Sequence, residues 1–279
     1  MSKVSASTPD LGEGLQYHIR CRPGDVAPYV LLPGDPDRVP IISSLWDERR
    51  EVARHREYVT HTGVYRGAPI SSTSTGIGGP AASIALEELL RVGAHTFIRV
   101  GTTGALQREI NVGDLVIATG AVRLDGASEE YVMKEYPAAA HYEVVLALIE
   151  AAEELGVRYH VGVVASTDTF YTGQARPGFK GYMPSWPRDL MGDLQAARVL
   201  SFEMEAASIF TLSSIYGARA GAVLAVLANR VTDEFEVEAG VQDAVRVANE
   251  SVRILYEWDK IKAVKGKRNI YPSLISGKA

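Results

Sequence analysis

FIRVGTTGALQREINVGDLVIATGAVRLD, residues 97–125, decides how the chain is read. Phe97, Ile98 and Val100 are apolar and strand-forming, so Arg99 is expected inside a buried strand. Burying a guanidinium costs several kcal/mol unless an anion or an acid meets it. Immediately downstream, Gly101 and Gly104 are read as bounding a turn that carries the hydroxyls of Thr102 and Thr103. Small residues let a ligand approach the backbone, and hydroxyls add donors. The stretch predicts an oxyanion site at the carboxyl end of a central strand.

Working outward, strand-like and helix-like runs alternate almost from end to end, with no internal repeat or low-complexity linker, so a single domain over 1–279 is expected. With 46% hydrophobic and 23% charged residues, the chain suffices for one full core. A net charge of -5 offers no general attraction to nucleic acid or an anionic membrane, so neither is expected as a partner, and any anion must be gathered by local arginines. The one cysteine, Cys21, excludes an intramolecular disulfide, and no Cys/His cluster has zinc spacing, so no metal site is expected. The start lacks the apolar core of a signal peptide, and the longest apolar run, Ala222 to Ala228, is too short to span a bilayer. A cytoplasmic location is expected.

Four further stretches carry chemistry. Tyr29 to Leu32 reads as a strand running into PGDPDR, which by itself suits an ordinary capped turn with a solvated arginine better than a phosphate cradle of Gly34 and Arg38 at a helix start. ARHREYVTHTGVYRG places Arg54, Arg56 and Glu57 at the start of a strand, the pattern of a solvated edge. After TGIGGPAASIALEELLRVG, a glycine turn opening a helix at Pro80, come a helix from about His141 to Leu155 and a strand from Tyr159 to Ser166. That strand leads into TDTFYTGQARPGFKGYMPSWPRD, a long loop offering Phe170 and Tyr171 for stacking and Gln174 and Arg176 for hydrogen bonding. A side-chain amide donates and accepts at once, as the edge of a pyrimidine requires, and an arginine stabilises a carbonyl that gains negative charge. Last, SFEMEAASIF is read as placing Glu203, Met204 and Glu205 at the start of an amphipathic helix. These acids suit a helix dipole or, with a thioether beside them, the vicinal hydroxyls of a sugar.

PGDPDR, HREY, STGIGGP, RVGTTGALQ, INVGD, VRLDGAS, STDTFYTGQAR, FEMEA and ANR follow one another from about Leu32 to Arg230. On these motifs the chain resembles the nucleoside phosphorylase family, and within it the uridine-cleaving branch. The resemblance implies an α/β fold, a three-layer α/β/α sandwich around a mixed central sheet. It also implies phosphorolysis of a nucleoside to a free base and ribose 1-phosphate, with inorganic phosphate as co-substrate and no further cofactor. On matching positions, Gly34, Arg38, Arg99 and Thr102 would hold phosphate, with Arg56 reaching in from a neighbouring subunit. Glu205 would hold the ribose 2′ and 3′ hydroxyls with Met204 and Glu203 beside it, and His18 would serve the 5′-hydroxyl across an interface. Gln174 and Arg176 would read uracil under Phe170, and Arg230 stands near where purine-cleaving relatives carry an acid. Arg99, Gln174, Arg176 and Glu205 form the implied catalytic set.

The implied assembly is a homo-oligomer, a hexamer of three dimers. A purine nucleoside or methylthioadenosine phosphorylase, or a hydrolytic nucleosidase, is the alternative within the fold, and a non-catalytic nucleoside-binding module is the alternative outside catalysis. Bacterial members bind an intersubunit potassium through equivalents of Glu57, the Ile77 carbonyl and a serine hydroxyl. Ala81 stands at that serine position here, so potassium stays open. PGFKGYMPSW also departs from the bacterial pattern, which leaves the behaviour of 177–190 as a lid open.

Overall fold

The structure, a computed structural model, describes residues 5–7, 9–187 and 189–276. Its first third runs β1 (Tyr29–Leu32), α1 (Arg38–Ser43), the antiparallel strands β2 (Glu48–His55), β3 (Tyr58–Tyr65) and β4 (Ala68–Thr73), then α2 (Gly79–Arg91). Next come β5 (Thr96–Ala105), β6 (Leu115–Leu124), α3 (Gly126–Glu129), β7 (Ala138–Ala139), α4 (Tyr142–Leu155) and β8 (Tyr159–Thr167). After two short 3-10 turns follow α5 (Leu190–Ala196), β9 (Ser201–Glu203), α6 (Ala206–Ile215), β10 (Arg219–Asn229), β11 (Glu234–Phe235), α7 (Val241–Lys265) and α8 (Pro272–Ile275). Among the described residues, no helix is long and apolar enough to cross a membrane.

Because strand side chains alternate between faces, each apolar strand feeds two cores. Tyr29, Leu31, Ile98, Val100, Val223 and Ala225 pack on one face with residues of α4 and α7. Their sequence neighbours Val30, Leu32, Phe97, Ala222, Leu224 and Val226 pack on the other with residues of α2 and α6. Each fully buried Val, Leu, Ile or Phe contributes about 1.5–3 kcal/mol, so both faces need a helical cover. Three layers around a mixed sheet result, as the sequence implies.

The sheet also goes beyond a simple sandwich. β5 lies parallel to β1 on one side and to β10 on the other, with β9 antiparallel at its carboxyl end. β10 pairs with β6, β6 with β8, and β8 with β9, so these five strands close into a ring while β1, β4, β3 and β2 continue outward. β2 is the solvated edge, although Arg56 and Glu57 sit in the turn after it and do not open a strand.

Two local expectations are corrected. Gly101 to Gly104 form no turn, because β5 stays paired with β10 through that stretch despite its glycines. Glu203 does not start a helix: it ends β9, Glu205 caps α6, and that helix is buried along Ala206 to Ser213 with no amphipathic face.

At the amino ends of β1, β5 and β10 lies a second charged cluster. Arg219 donates to Asp259 at 2.6 and 2.9 Å, to Glu143 at 2.9 Å and to Thr96, and Lys262 donates to Glu143 at 2.7 Å. Burial opposes ionisation of Asp259, but hydrogen bonds from Arg219, Lys262 and Tyr29 outweigh it and bring its carboxyl down to about 2. Glu143 also accepts from the Ile270 amide, so the cluster fastens the chain after α7 to the strands.

Candidate active site

Carboxyl ends of the strands open on a cavity of about 700 Å³. β5 forms its floor and orders its chemistry. Arg38, in the first turn of α1, donates to the Val100 carbonyl at 3.4 Å, while Arg176 and Arg230 stand over Gly104. Four residues of extended strand separate these points, roughly 13 Å. Gly101 and Thr102 lie between them on the strand, and Met204 and Glu205 border the same cavity.

At the first point Arg99 is only 5% exposed, and its nearest partners are acids of the chain itself. Nε donates to Glu203 at 2.9 Å, and Nη2 forms a close ion pair with Glu205. Nη1 is buried with no hydrogen-bond partner among the described residues. Gly101 makes this fold-back possible, since a Cβ there would stand 2.8 Å from the Arg99 guanidinium carbon. Burial and the neighbouring Arg99 charge lower the pKa of Arg38, with Asp35 opposing. Two guanidinium groups at one end of the cavity suit an anionic ligand, although Glu203 and Glu205 already meet the charge of Arg99. Gly34 and Asp35 border the same end, beside Glu57, Gly76 and Ile77.

Glu205 sits where β5 is crossed by the start of α6, and Oε1 accepts from the Gly78 amide at 2.6 Å. Gly78 has φ of 93°, a backbone that turns this amide inward and that side chains rarely tolerate. Burial raises the pKa of Glu205; Arg99 pulls it down and Glu203 pushes it up. Met204 borders the cavity next to it. Glu203 does not border the cavity, and the ribose contact implied for it is not formed by this geometry. Thr103 spends its hydroxyl on the Phe202 carbonyl at 2.6 Å, which leaves Thr102 as the hydroxyl available to a ligand.

At the second point, Gln174 is buried at 3% exposure and its amide is already oriented: Nε2 donates to Thr167 and Oε1 accepts from Arg176 at 2.5 Å. One N–H and one lone pair remain for a ligand. Arg176 lies 4.0 Å over the ring of Phe170, which is half exposed at the cavity mouth. Burial and the adjacent Arg230 bring the pKa of Arg176 down to about 10. Arg230 braces this end from behind, donating to the Gln174 carbonyl at 3.0 Å and to Met191 Sδ at 3.5 Å.

Besides Glu203 and Arg230, which do not line the cavity, two residues named from the sequence lie away from it. His18 Nδ1 bonds Glu88 at 2.7 Å, and Arg56 lies 5.7 Å over Tyr17, whose ring packs edge-on against His18. They form one separate cluster. Sequence reading missed Phe202, Leu227 and Phe235 as cavity walls; an apolar residue gives no local signal that separates wall from core. Glu57, Ile77 and Ala81 all border the cavity, but position 81 presents a methyl where an oxygen is needed. That position lacks the hydroxyl oxygen that the resemblance implies for an intersubunit potassium.

The chain belongs to the Phosphorylase superfamily, whose family model matches residues 28–257. It is 64% identical over 271 residues to a Uridine phosphorylase of Thermococcus kodakarensis, covering 97% of this chain and 98% of the relative. A Uridine phosphorylase of Escherichia coli strain K12 is 42% identical over 254 residues, covering 86% of this chain and 97% of the relative. A Guanosine phosphorylase of Halorubrum lacusprofundi is 39% identical over 251 residues, covering 86% and 99%.

Proposed function

We infer that the chain catalyses the reversible phosphorolysis of uridine by inorganic phosphate, giving uracil and ribose 1-phosphate. The observation that carries this reading is the order along β5: an anion-seeking pair, Arg38 and Arg99, then Thr102 and Glu205, then Gln174 with Arg176. Phosphate held by the first pair faces C1′ of a ribose whose 2′ and 3′ hydroxyls donate to Glu205. Uracil lies against Phe170 with its amide edge on Gln174. As the glycosidic bond lengthens, C1′ gains positive character and the base takes the bonding pair, spread over its carbonyls. Arg176 and Gln174 stabilise that charge while the phosphate, oriented by its arginines, forms the new bond to C1′, and the uracil anion takes up one proton from solvent as the hydrogen phosphate gives up its own. The site thus works by preorganised electrostatics and positioning.

The Halorubrum relative named Guanosine phosphorylase favours purine phosphorolysis as the second reading. Chromatographic assays with uridine and with guanosine, each with and without phosphate, separate them. Uracil release from uridine only when phosphate is present is the expected result. Base release without phosphate, or a higher kcat/KM for guanosine, overturns the reading.

We further propose that the active unit is a homo-oligomer, a hexamer of three dimers, acting in cytoplasmic pyrimidine salvage on small molecules, without nucleic acid or membrane partners. The separate Arg56 and His18 cluster supports this, because an arginine outside its own cavity is available to a neighbour's. Mixing impaired Arg56→Ala and Arg99→Ala subunits is expected to restore activity above that of either alone. Strictly additive activity after subunit exchange contradicts the shared site.

A further inference from the structure

We propose that Glu203, held by Ser166, is a positioning residue that aims Arg99 at the phosphate and touches neither substrate. This inference rests on the phosphorolysis reading above. The side chain of Glu203 is fully buried. Oε2 accepts from Arg99 Nε, from the Glu205 amide and from the Ala206 amide, each at 2.9 Å. Oε1 accepts from the Ser166 hydroxyl, and that hydroxyl in turn accepts from the Ala207 amide at 2.8 Å. A carboxylate has about four acceptor sites, and here they are filled by the chain itself.

What Glu203 controls is the guanidinium. Arg99 is planar, so fixing Nε on Glu203 and Nη2 on Glu205 fixes the direction of Nη1. The side chain so held borders the cavity, while Nη1 itself is buried with no hydrogen-bond partner among the described residues. Ser166 locks the rotation of the carboxylate about its own bond and ties it to the first turn of α6, so Ser166, Glu203 and Arg99 form one chain of orientation. Glu205 shares both ends of it: its amide bonds Glu203 and its carboxylate bonds Arg99.

Positioning and charge make opposite demands on substitutions. Glu203→Gln keeps length and shape, with its carbonyl able to keep the Arg99 Nε donor and one of the two backbone amides, and its amide N–H able to donate to the Ser166 hydroxyl. Glu203→Asp keeps the charge and loses the reach. A positioning role therefore predicts that Gln substitutes better than Asp, whereas a sugar ligand or a purely electrostatic role predicts the reverse.

The test is steady-state phosphorolysis of uridine with each substrate varied, joined to the phosphate-induced rise in melting temperature measured without nucleoside. Wild-type activity is established first, and its absence refutes the function and leaves Glu203 to the binding measurement. With wild type active, Glu203→Asp and Ser166→Ala are expected to raise the phosphate KM about 10- to 100-fold with the uridine KM changed less than about threefold, and to shrink the phosphate-induced stabilisation. Glu203→Gln is expected to stay within about tenfold of wild type. A phosphate KM unmoved in Ser166→Ala, or a Glu203→Asp enzyme more active than Glu203→Gln, overturns the proposal. Ser166→Ala removes one hydroxyl, so it answers the question even if the aspartate variant fails to fold.

Discussion

Replacing Arg99 by lysine is expected to lower kcat/KM for phosphorolysis by about 10²–10³-fold, with most of the loss in the phosphate KM. Lysine preserves the positive charge but not the fork. In the native site one nitrogen serves Glu203, a second pairs with Glu205 and the third is buried without a hydrogen-bond partner among the described residues, and these three directions are set by one plane. An ammonium on a flexible stem has no such fixed set, so it settles between the two carboxylates and gives little to phosphate. The melting temperature should fall as well, because a broken buried ion cluster costs about 3–5 kcal/mol when a partner is removed outright and less when its charge remains. Phosphate titrations at saturating uridine, with a thermal melt of the same preparation, check both parts. A variant that saturates at the wild-type phosphate concentration would refute the assignment of Arg99.

Replacing Glu205 by glutamine is expected to reduce kcat/KM for uridine by at least about 10²-fold without lowering stability at neutral pH. The isostere keeps an acceptor for the Gly78 amide but surrenders the charge-assisted contact with Arg99 and with the sugar hydroxyls. Stability follows a different rule. Burial raises the Glu205 pKa above its ordinary 4.5, so the folded protein holds this proton more tightly than the unfolded chain. As pH rises from about 4.5 through the raised value, the unfolded chain ionises first, and wild-type stability falls relative to the glutamine variant. Catalysis has the opposite sign, since the ionised form is needed to hold Arg99 and the ribose. Wild-type kcat/KM should therefore fall on an acid limb placed above the ordinary carboxylate range, and that limb should vanish in the variant. Melting curves and pH-rate profiles of the two proteins check this. A variant markedly less stable than wild type at pH 7 contradicts it.

Burial of Arg99 is legible from Phe97, Ile98 and Val100 alone, because a charged residue inside a run of apolar strand formers has nowhere else to go. Its protein partners are not legible. Glu203 lies 104 positions downstream, and nothing local in SFEMEA separates a three-residue strand from a first helical turn. Tertiary pairing decides it: Ser201 and Phe202 pair with β5 while Phe202 and Glu203 pair with β8, and the Glu203 side chain meets Arg99. The same ring closure keeps Gly101 to Gly104 extended, against the turn that two glycines suggest. In the base-facing loop the residue types are informative, since Gln174 and Arg176 can be named from TGQAR, but Arg230 holding that loop by the Gln174 carbonyl depends on the chain returning through β10. For His18 and Arg56 the sequence supplies only a resemblance, and the protomer places them together outside its own cavity.

The cluster of Arg219, Asp259, Glu143 and Lys262 and the cavity sit at opposite ends of the same strands. Thr96, which bonds Arg219, precedes Arg99 by three residues, about 10 Å of strand. Substitutions at that separation are close to additive. Heat resistance and substrate choice are therefore separately adjustable: an engineer or a lineage can reinforce the fastening of the carboxyl-terminal helix for a hotter environment without re-optimising the loop that meets the base.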